Sequence, residues 1–191
     1  YGSGSPTGIT YYENGSLPER YQGSLFSCEP AKRQIFRYVP KAEGAGYQLE
    51  REVFLLRHGA DRMAGAFSDI LVSTDGVLYV ADWYDPMVGG HGAADRKHIG
   101  KIYRIAPKAF KPALTKLNTA GDMIASPAHN VRFHGFHKFK KQGSAALPEV
   151  KELLNHTSPW IAARAIWLLP HLGKEGITEL PKVAQSHAGK D

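Results

Sequence analysis

The sequence is poor in cysteine and has no long apolar run. Its 191 residues include one cysteine, Cys28, which excludes an internal disulfide, a Cys-x-x-Cys zinc site and a covalent haem motif within this chain. No segment approaches the roughly 18 consecutive apolar residues that a membrane-spanning helix needs. A glycine-rich phosphate loop, a serine nucleophile elbow and a Cys/His dyad are missing as well. The sequence therefore lacks the patterns of several familiar enzyme classes and of a membrane span.

The composition is ordinary for a globular protein, but the charge is unevenly placed. Hydrophobic residues make up 42% and charged residues 22%, and the net charge is +6. Residues 1–106 balance 12 Lys and Arg against 12 Asp and Glu, whereas residues 107–191 carry 12 against 6. This shift predicts a domain boundary at 106–107. The sequence begins with Tyr1 and has no apolar leader, so we expect an excised piece of a longer protein.

Residues 1–106 alternate β-rich runs with turn residues, which predicts antiparallel strands. Two internal matches sharpen the prediction: residues 23–29 match 76–82, and residues 35–37 match 102–104. Short strands in repeats of about 40–50 residues are typical of propellers. We therefore predict an all-β region, the partial terminal blades of a β-propeller. The expected strands cover residues 8–12, 23–28, 34–39, 48–56, 68–72, 77–81 and 100–105.

A resemblance to a known family rests on two blocks, residues 74–85 (TDGVLYVADWYD) and 100–104 (GKIYR), with a Gly/His-rich loop between them. These blocks resemble the large dehydrogenase-like propeller proteins of planctomycetes and verrucomicrobia, distant relatives of the quinoprotein sugar and sorbosone dehydrogenases. The segment 17–26 is similar to that family's entry into a blade. The resemblance implies a periplasmic or otherwise extracytoplasmic oxidoreductase.

Residues 126–191 show helical spacing and a second repeat. Ser126-Pro127 recurs as Ser158-Pro159, and Leu147-Pro148 recurs as Leu180-Pro181, at offsets of 32 and 33. Ser followed by Pro is a typical helix start, because Ser offers an N-cap oxygen and Pro suits the first turn. We predict a truncated α-solenoid of HEAT-like helix pairs over 126–191, after a linker and first helix over 107–125. Pro170 predicts a kink or an early helix end.

The long loop after residue 82 is the best candidate for chemistry. Carboxylates with loop carbonyls suit Ca²⁺, and glycines allow a ligand close to the backbone. We expect ligand contacts from seven residues, with a possible calcium site at Asp82, Asp85 and Asp95. The alternative is structural: Asp82 and Asp85 cap a turn, while Trp83 and Tyr84 pack. The seven residues are Asp82, Trp83, Tyr84, Asp85, His91, Asp95 and Arg96.

Other polar groups have mainly structural interpretations. His129, His134 and His137 have no further ligand at a suitable spacing, so we expect surface histidines. The lysines at 138, 140 and 141 are expected on a solvated face, because no nucleic-acid reader motif accompanies them. Arg104 is expected to pair with a carboxylate of a neighbouring blade.

Two functions follow as expectations. The first is an oxidoreductase that acts on a sugar or alcohol and passes electrons to an acceptor. The resemblance implies pyrroloquinoline quinone and Ca²⁺ in the full-length protein and haem c on a downstream module that is missing here. Catalytic residues would lie in blades outside this sequence. The second is a non-enzymatic scaffold that binds protein or carbohydrate, with a protein partner possible on the solenoid. Nucleic acid and a membrane span are not expected.

Overall fold

The computed structural model describes residues 5–57, 66–84, 100–111 and 117–187. The chain divides into two compact units, Tyr1–Pro112 and Ala113–Asp191, which we call the strand unit and the helical unit. In the described residues every strand lies in the first unit and every α-helix in the second. None of the helices in these ranges is long and apolar enough to cross a membrane.

The strand unit contains seven described strands, one in each region where the sequence predicts one. Neighbouring strands pair antiparallel throughout, which confirms that prediction. They form a four-stranded sheet in the order β1-β2-β3-β4 and a three-stranded sheet in the order β5-β6-β7. The strands are β1 (Ile9–Tyr12), β2 (Ser24–Glu29), β3 (Gln34–Glu43), β4 (Gly46–Leu56), β5 (Ala66–Val72), β6 (Leu78–Trp83) and β7 (Lys101–Ile105).

Strands β3 and β4 form a long hairpin that extends beyond the rest of its sheet. Their pairing runs from Gln34 opposite Leu56 to Glu43 opposite Gly46. Strand β2 pairs with β3 only as far as Tyr38. Gly44 turns the chain with a φ of +55°, a conformation that glycine adopts without strain. The far half of the hairpin is therefore held only by its own two strands within the described sheet.

The core of the strand unit lies between the two sheets. From the four-stranded sheet come Tyr12, Phe26 and Ile35, and from the three-stranded sheet come Ile70 and Val80, all buried in one cluster. The two sheets thus share a single apolar layer, as in aligned sheet packing. Cys28 lies in this layer as a free buried thiol. Burial raises the pKa of the Cys28 thiol to about 12.

The prediction of propeller blades is wrong. The described strands form two small open antiparallel sheets of four and three strands. A propeller needs at least about four blades of four strands each around a central channel. Here the two sheets pack against each other around one core. The short-strand spacing was interpreted as partial propeller blades, although it is equally compatible with two open sheets packed around one core.

The helical unit contains five described α-helices with short 3₁₀ segments between them. Helix α1 begins with a capping box, in which Thr119 Oγ1 accepts from Asp122 N at 3.0 Å. Helix α4 ends at Leu168, and a 3₁₀ turn, Leu169–His171, follows, which confirms the early end predicted from Pro170. The helices are α1 (Ala120–Ala125), α2 (His129–Gln142), α3 (Leu147–Leu154), α4 (Pro159–Leu168) and α5 (Lys174–His187).

The prediction of a HEAT-like solenoid is also wrong, because matched residues of the sequence repeat occupy different positions in their helices. Pro148 lies in the first turn of α3, whereas Pro181 lies inside α5. Ser126 ends α1, and its Oγ accepts from Ala128 N at 3.2 Å. Ser158 is the N-cap of α4, but its side chain makes no capping bond. The described helices form one small cluster around a shared core rather than stacked equivalent pairs.

The core of the helical unit is fixed by apolar packing and by one arginine. Phe139, Val150 and Leu168 are fully buried in it. Arg164 on α4 donates from Nη1 to Ile124 O at 2.7 Å and to Ser126 O at 3.3 Å. These carbonyls lie at the end of α1, where the helix leaves them without intrahelical partners. The arginine therefore joins α4 to the α1–α2 connection.

Candidate functional site

Asp82, the first residue of the predicted site, lies in a buried polar cluster. It sits near the end of β6, and its side chain is 4% exposed. Its Oδ2 accepts from the Tyr103 hydroxyl at 3.3 Å and lies 3.6 Å from Arg57 Nη1. Arg57 Nη1 also donates to the Tyr103 hydroxyl at 3.0 Å. Since Arg57 follows β4 and Asp82 belongs to β6, the cluster joins the two sheets.

Trp83 and Tyr84 lie beside Asp82 in the chain, but Trp83 belongs to the other face of the sheet. Successive strand residues point to opposite faces, and Trp83 is exposed where Asp82 is buried. Trp83 and Tyr84 line an open depression of about 470 Å³ together with Asp82 and Lys101. The Asp82 carboxylate is nevertheless almost fully buried and is held by Tyr103 and Arg57, whereas Trp83 is about half exposed.

The remaining predicted site residues, Asp85, His91, Asp95 and Arg96, lie outside the described residues. Their ligand contacts, and the calcium site at Asp85 and Asp95, stay a prediction. Within the described ranges no group of three or more His, Cys, Asp or Glu side chains could hold a metal ion. The Asp82 carboxylate faces a guanidinium, and Ca²⁺ prefers a shell of oxygen ligands. Its described surroundings do not fit calcium, so no step is derived through calcium, quinone or haem.

The Asp75 carboxylate holds the turn between β5 and β6. It accepts hydrogen bonds from Ser73 Oγ and, at 3.1 Å, from Arg104 Nη2 on β7. Burial acts to raise the pKa of Asp75, but the bonds from Ser73 and Arg104 outweigh it and hold the pKa below its usual range. Arg104 was expected to pair across blades. It pairs instead with a turn of its own sheet.

The same turn is tied to β1 by a buried tyrosine. Tyr12 is fully buried. Its hydroxyl donates to Gly76 O at 2.6 Å and accepts from Leu17 N at 2.6 Å. Burial raises the pKa of Tyr12 to about 12. Together with the Asp75 bonds, these contacts give the motif residues around the turn a structural role.

The outer face of the four-stranded sheet is an apolar surface that the sequence analysis missed. Tyr47 and Leu49 are 74% and 48% exposed. Two cavities of about 340 and 520 Å³ lie on this face and share Leu25 and Leu49 in their walls. Glu29, itself nearly buried, lines the smaller cavity. We call this surface the outer face of the four-stranded sheet. It comprises Ile9, Tyr11, Leu25, Ser27, Glu29, Tyr38, Pro40, Tyr47 and Leu49.

The three-stranded sheet also presents apolar side chains on the side away from the core. Ile102 is 75% exposed, and Leu71 and Trp83 are about half exposed. Tyr79 and Ala81 belong to the same face by strand alternation. We call these five residues the outer face of the three-stranded sheet. Both sheets thus carry exposed apolar side chains on the face that points away from their shared core.

The helical unit offers no comparable site in its described part. His134 and His137 are exposed on α2, as predicted for surface histidines, and the His137 ring lies 4.3 Å from the Phe133 ring. The lysines at 138, 140 and 141 are exposed, as expected for a solvated face.

A comparison with protein families now adds one finding. Residues 2–109, more than half of the chain, match a domain of unknown function, DUF7133. The chain belongs to this family. No curated protein and no solved structure matches it. The DUF7133 match covers the strand unit almost completely, so both outer sheet faces and the Asp82 cluster belong to the domain.

Proposed function

We propose that the DUF7133 domain of this chain is a protein-interaction module that docks an apolar β-sheet face of another polypeptide on the outer face of its four-stranded sheet. The observation that carries the proposal is the burial pattern. Leu25 of β2 points away from the core but is apolar, like its core neighbour Phe26, whereas the other outward residues of β2, Ser27 and Glu29, are polar. Tyr47 and Leu49 of β4 are exposed on the same face. Strands with apolar residues on both faces belong to sheets that are covered on both sides.

The side chains on this face favour a polypeptide as the occupant. Three of the five residues that line the larger cavity, Leu25, Pro40 and Leu49, are aliphatic and offer no hydrogen bond to a sugar hydroxyl, and the other two are tyrosines. Tyr11, Leu25 and Tyr38 are cross-strand neighbours on β1, β2 and β3. Their side chains form a broad and shallow surface across the sheet. A sheet partner would pack about 10 Å away and cover such a surface in one layer. Apolar patches of this kind on a soluble protein commonly mark interaction sites.

The rim of the face supplies a charge preference. The Arg51 guanidinium lies 4.8 Å from the Phe36 ring centroid, and the Lys32 ammonium lies 5.9 Å from it. Arg51 lies opposite Tyr38 in the β3–β4 hairpin, and Lys32 lies in the turn before β3. A partner with an apolar centre and an acidic side chain near these cations would complement them, and such complementarity favours association rate and specificity.

Photo-crosslinking in cells that make the protein tests this proposal without knowledge of the partner. The photoreactive residue p-benzoylphenylalanine replaces Tyr47 in one variant. In the matched control it replaces Gln48, which is exposed on the same strand but points to the opposite face. We expect a protease-sensitive adduct at position 47, at least five-fold more abundant than at position 48. Mass spectrometry would identify the attached polypeptide.

Three results would overturn the proposal: equal adducts at both positions, an adduct at neither position, or a carbohydrate adduct at position 47. A glycan at that position would favour the carbohydrate-binding interpretation instead. Thermal unfolding of both variants shows whether each keeps the fold.

The chemistry of the parent protein is a second proposal, favoured by the blocks at 74–85 and 100–104. We infer that the full-length protein is an extracytoplasmic oxidoreductase acting on a sugar or alcohol. No described residue is assigned to a redox step. The test is dye reduction by the full-length protein with an aldose panel after addition of quinone and Ca²⁺. Turnover would support the proposal, and its absence would contradict it.

A further inference from the structure

The two sheets of the strand unit are related by an internal sequence repeat. Residues 23–29 and 76–82 match at an offset of 53, and they contain β2 and β6. Residues 35–37 and 102–104 match at an offset of 67, and they lie in β3 and β7. Both pairs are antiparallel neighbours in their own sheets. The repeat therefore relates one strand pair to another of the same geometry.

Equivalent residues of the two sheets point to opposite sides of the shared core. Phe26 and Ile35 are fully buried between the sheets. Their equivalents are Tyr79 and Ile102, which belong to the outer face of the three-stranded sheet, and Ile102 is 75% exposed. The outer face of the three-stranded sheet thus corresponds to the packed face of the four-stranded sheet.

The converse holds on the other side of the molecule. Leu78 is buried in the core, and its equivalent, Leu25, lines both cavities of the outer face of the four-stranded sheet. Asp82 is buried in the cluster between the sheets, and its equivalent, Glu29, lines the smaller cavity. The outer face of the four-stranded sheet thus corresponds to the packed face of the three-stranded sheet.

These two correspondences give each outer face a matching surface on the same chain. Inside the strand unit, the packed face of the four-stranded sheet, which contains Phe26, contacts the packed face of the three-stranded sheet, which contains Leu78. The outer face of the three-stranded sheet corresponds to the Phe26 face. The outer face of the four-stranded sheet corresponds to the Leu78 face. Because they lie on opposite sides of the unit, one copy cannot bring its own two outer faces together. A second copy can.

We propose that strand units associate head to tail, with the outer face of the three-stranded sheet of one copy packed on the outer face of the four-stranded sheet of the next. This inference rests on the proposed docking function and names its partner as a second copy of this chain. Such a contact is heterologous, so it continues into a ring or an open chain of copies instead of stopping at a dimer.

Heterologous contact makes a sharp mixing experiment possible. Ile102→Glu places a charge on the outer face of the three-stranded sheet, and Leu49→Glu does so on the outer face of the four-stranded sheet. Both positions are substantially exposed, so the fold should persist, and circular dichroism melts of each variant check this. Ile177→Glu, at a half-exposed apolar position on α5 of the helical unit, is the matched control.

Sedimentation velocity of the intact chain at 10–300 µM gives the expected pattern (the range brackets weak affinities of order 10⁻⁵–10⁻⁴ M). The unmodified chain and Ile177→Glu should form concentration-dependent species larger than a dimer. Ile102→Glu alone and Leu49→Glu alone should stay monomeric. An equimolar mixture of these two variants should form a one-to-one dimer and nothing larger, because each retains one intact face.

Every other pattern overturns the inference. A monomeric unmodified chain excludes self-association in this range, and a monomeric mixture excludes head-to-tail contact. Association of either folded single variant alone shows a different interface. If photo-crosslinking at position 47 captures a different polypeptide while the chain stays monomeric, the docking function stands and the second copy is wrong as its partner.

Discussion

Replacing Tyr12 with phenylalanine tests how the two sheets of the strand unit are held together. The substitution keeps the buried ring and removes only the hydroxyl, which bridges Leu17 N and Gly76 O at 2.6 Å each. Gly76 O retains a second donor, Ser16 N at 2.9 Å. The Leu17 N–H loses its acceptor in a buried position. The change therefore removes two hydrogen bonds and leaves one buried donor, Leu17 N–H, without an acceptor.

The expected loss is about 2–4 kcal/mol of unfolding free energy. Loss of the hydrogen bond to Gly76 O costs about 1 kcal/mol, and the buried Leu17 N–H without an acceptor costs about 1–3 kcal/mol. For a domain of about 100 residues, where 1 kcal/mol shifts Tm by about 4–8 °C, Tm should fall by at least about 8 °C.

Hydrogen exchange of the slowest amides in β2 and β3 gives the free energy of the strand unit without interference from the helical unit. Tyr47→Phe, which alters an exposed ring, is the control and should change stability by less than about 0.5 kcal/mol. A Tyr12→Phe loss no larger than that of the control would refute the bridging role.

Further outcomes follow from other contacts of the two units. The pKa of Tyr12 is about 12 in the folded state, so the tyrosine of the unfolded chain ionises at a lower pH. The unfolding free energy should therefore fall as pH rises from about 10. In an alkaline titration the unfolding free energy of Tyr12→Phe should fall less steeply. Asp75, whose pKa is lowered on folding, should stabilise the unit above about pH 4, and the stability difference between the unmodified chain and Asp75→Asn should shrink on acidification. Gly76→Ala would place a Cβ 2.6 Å from Ser16 N at a φ of +77°. Backbone strain and overpacking together should then lower the unfolding free energy by more than about 2 kcal/mol in a denaturant titration. Gly44→Ala, at a φ of +55° with open space around it, should lower it by about 1 kcal/mol in the same titration. Arg164→Met should lower the unfolding free energy of the helical unit by about 1–3 kcal/mol, and an equal effect of Lys182→Met would contradict the Arg164 assignment.

The strands could be predicted from local sequence because their signals are local. Alternation of β-branched and aromatic residues between turn residues located all seven described strands. The arrangement of the sheets could not be predicted in the same way. A 53-residue repeat shows that two strand pairs are alike, but it does not say how many sheets there are or whether they close. The interpretation as partial propeller blades went beyond this likeness of two strand pairs, and the two open sheets of four and three strands contradict it.

The helical repeat failed for a different reason. Ser-Pro and Leu-Pro pairs are helix-start signals, but their local chemistry does not fix where they fall in a helix. Leu147-Pro148 begins α3, while Leu180-Pro181 lies within α5. The 32-residue offset therefore matched residue types and not structural positions.

The candidate site was also predicted only in part. The sequence singled out Asp82 and Trp83 because a carboxylate and an aromatic ring stood beside a long loop. Alternation along β6 places their side chains on opposite faces of the sheet. The outer sheet faces had a signal too, because residues 78–81 of β6 and residues 25–26 of β2 are apolar at consecutive positions, as in strands covered on two sides. Exposure of Leu49 and Ile102, however, depends on tertiary packing.

Covalent footprinting with a photogenerated carbene tests the central claim most directly, because it reports which side chains of the intact chain become covered. The yield at each residue is compared between dilute and concentrated protein. Head-to-tail docking predicts that labelling of Leu49 and Ile102 falls together as concentration rises, while labelling of Ile177 stays constant. Unchanged labelling of both faces, or protection of only one of them, would contradict the account.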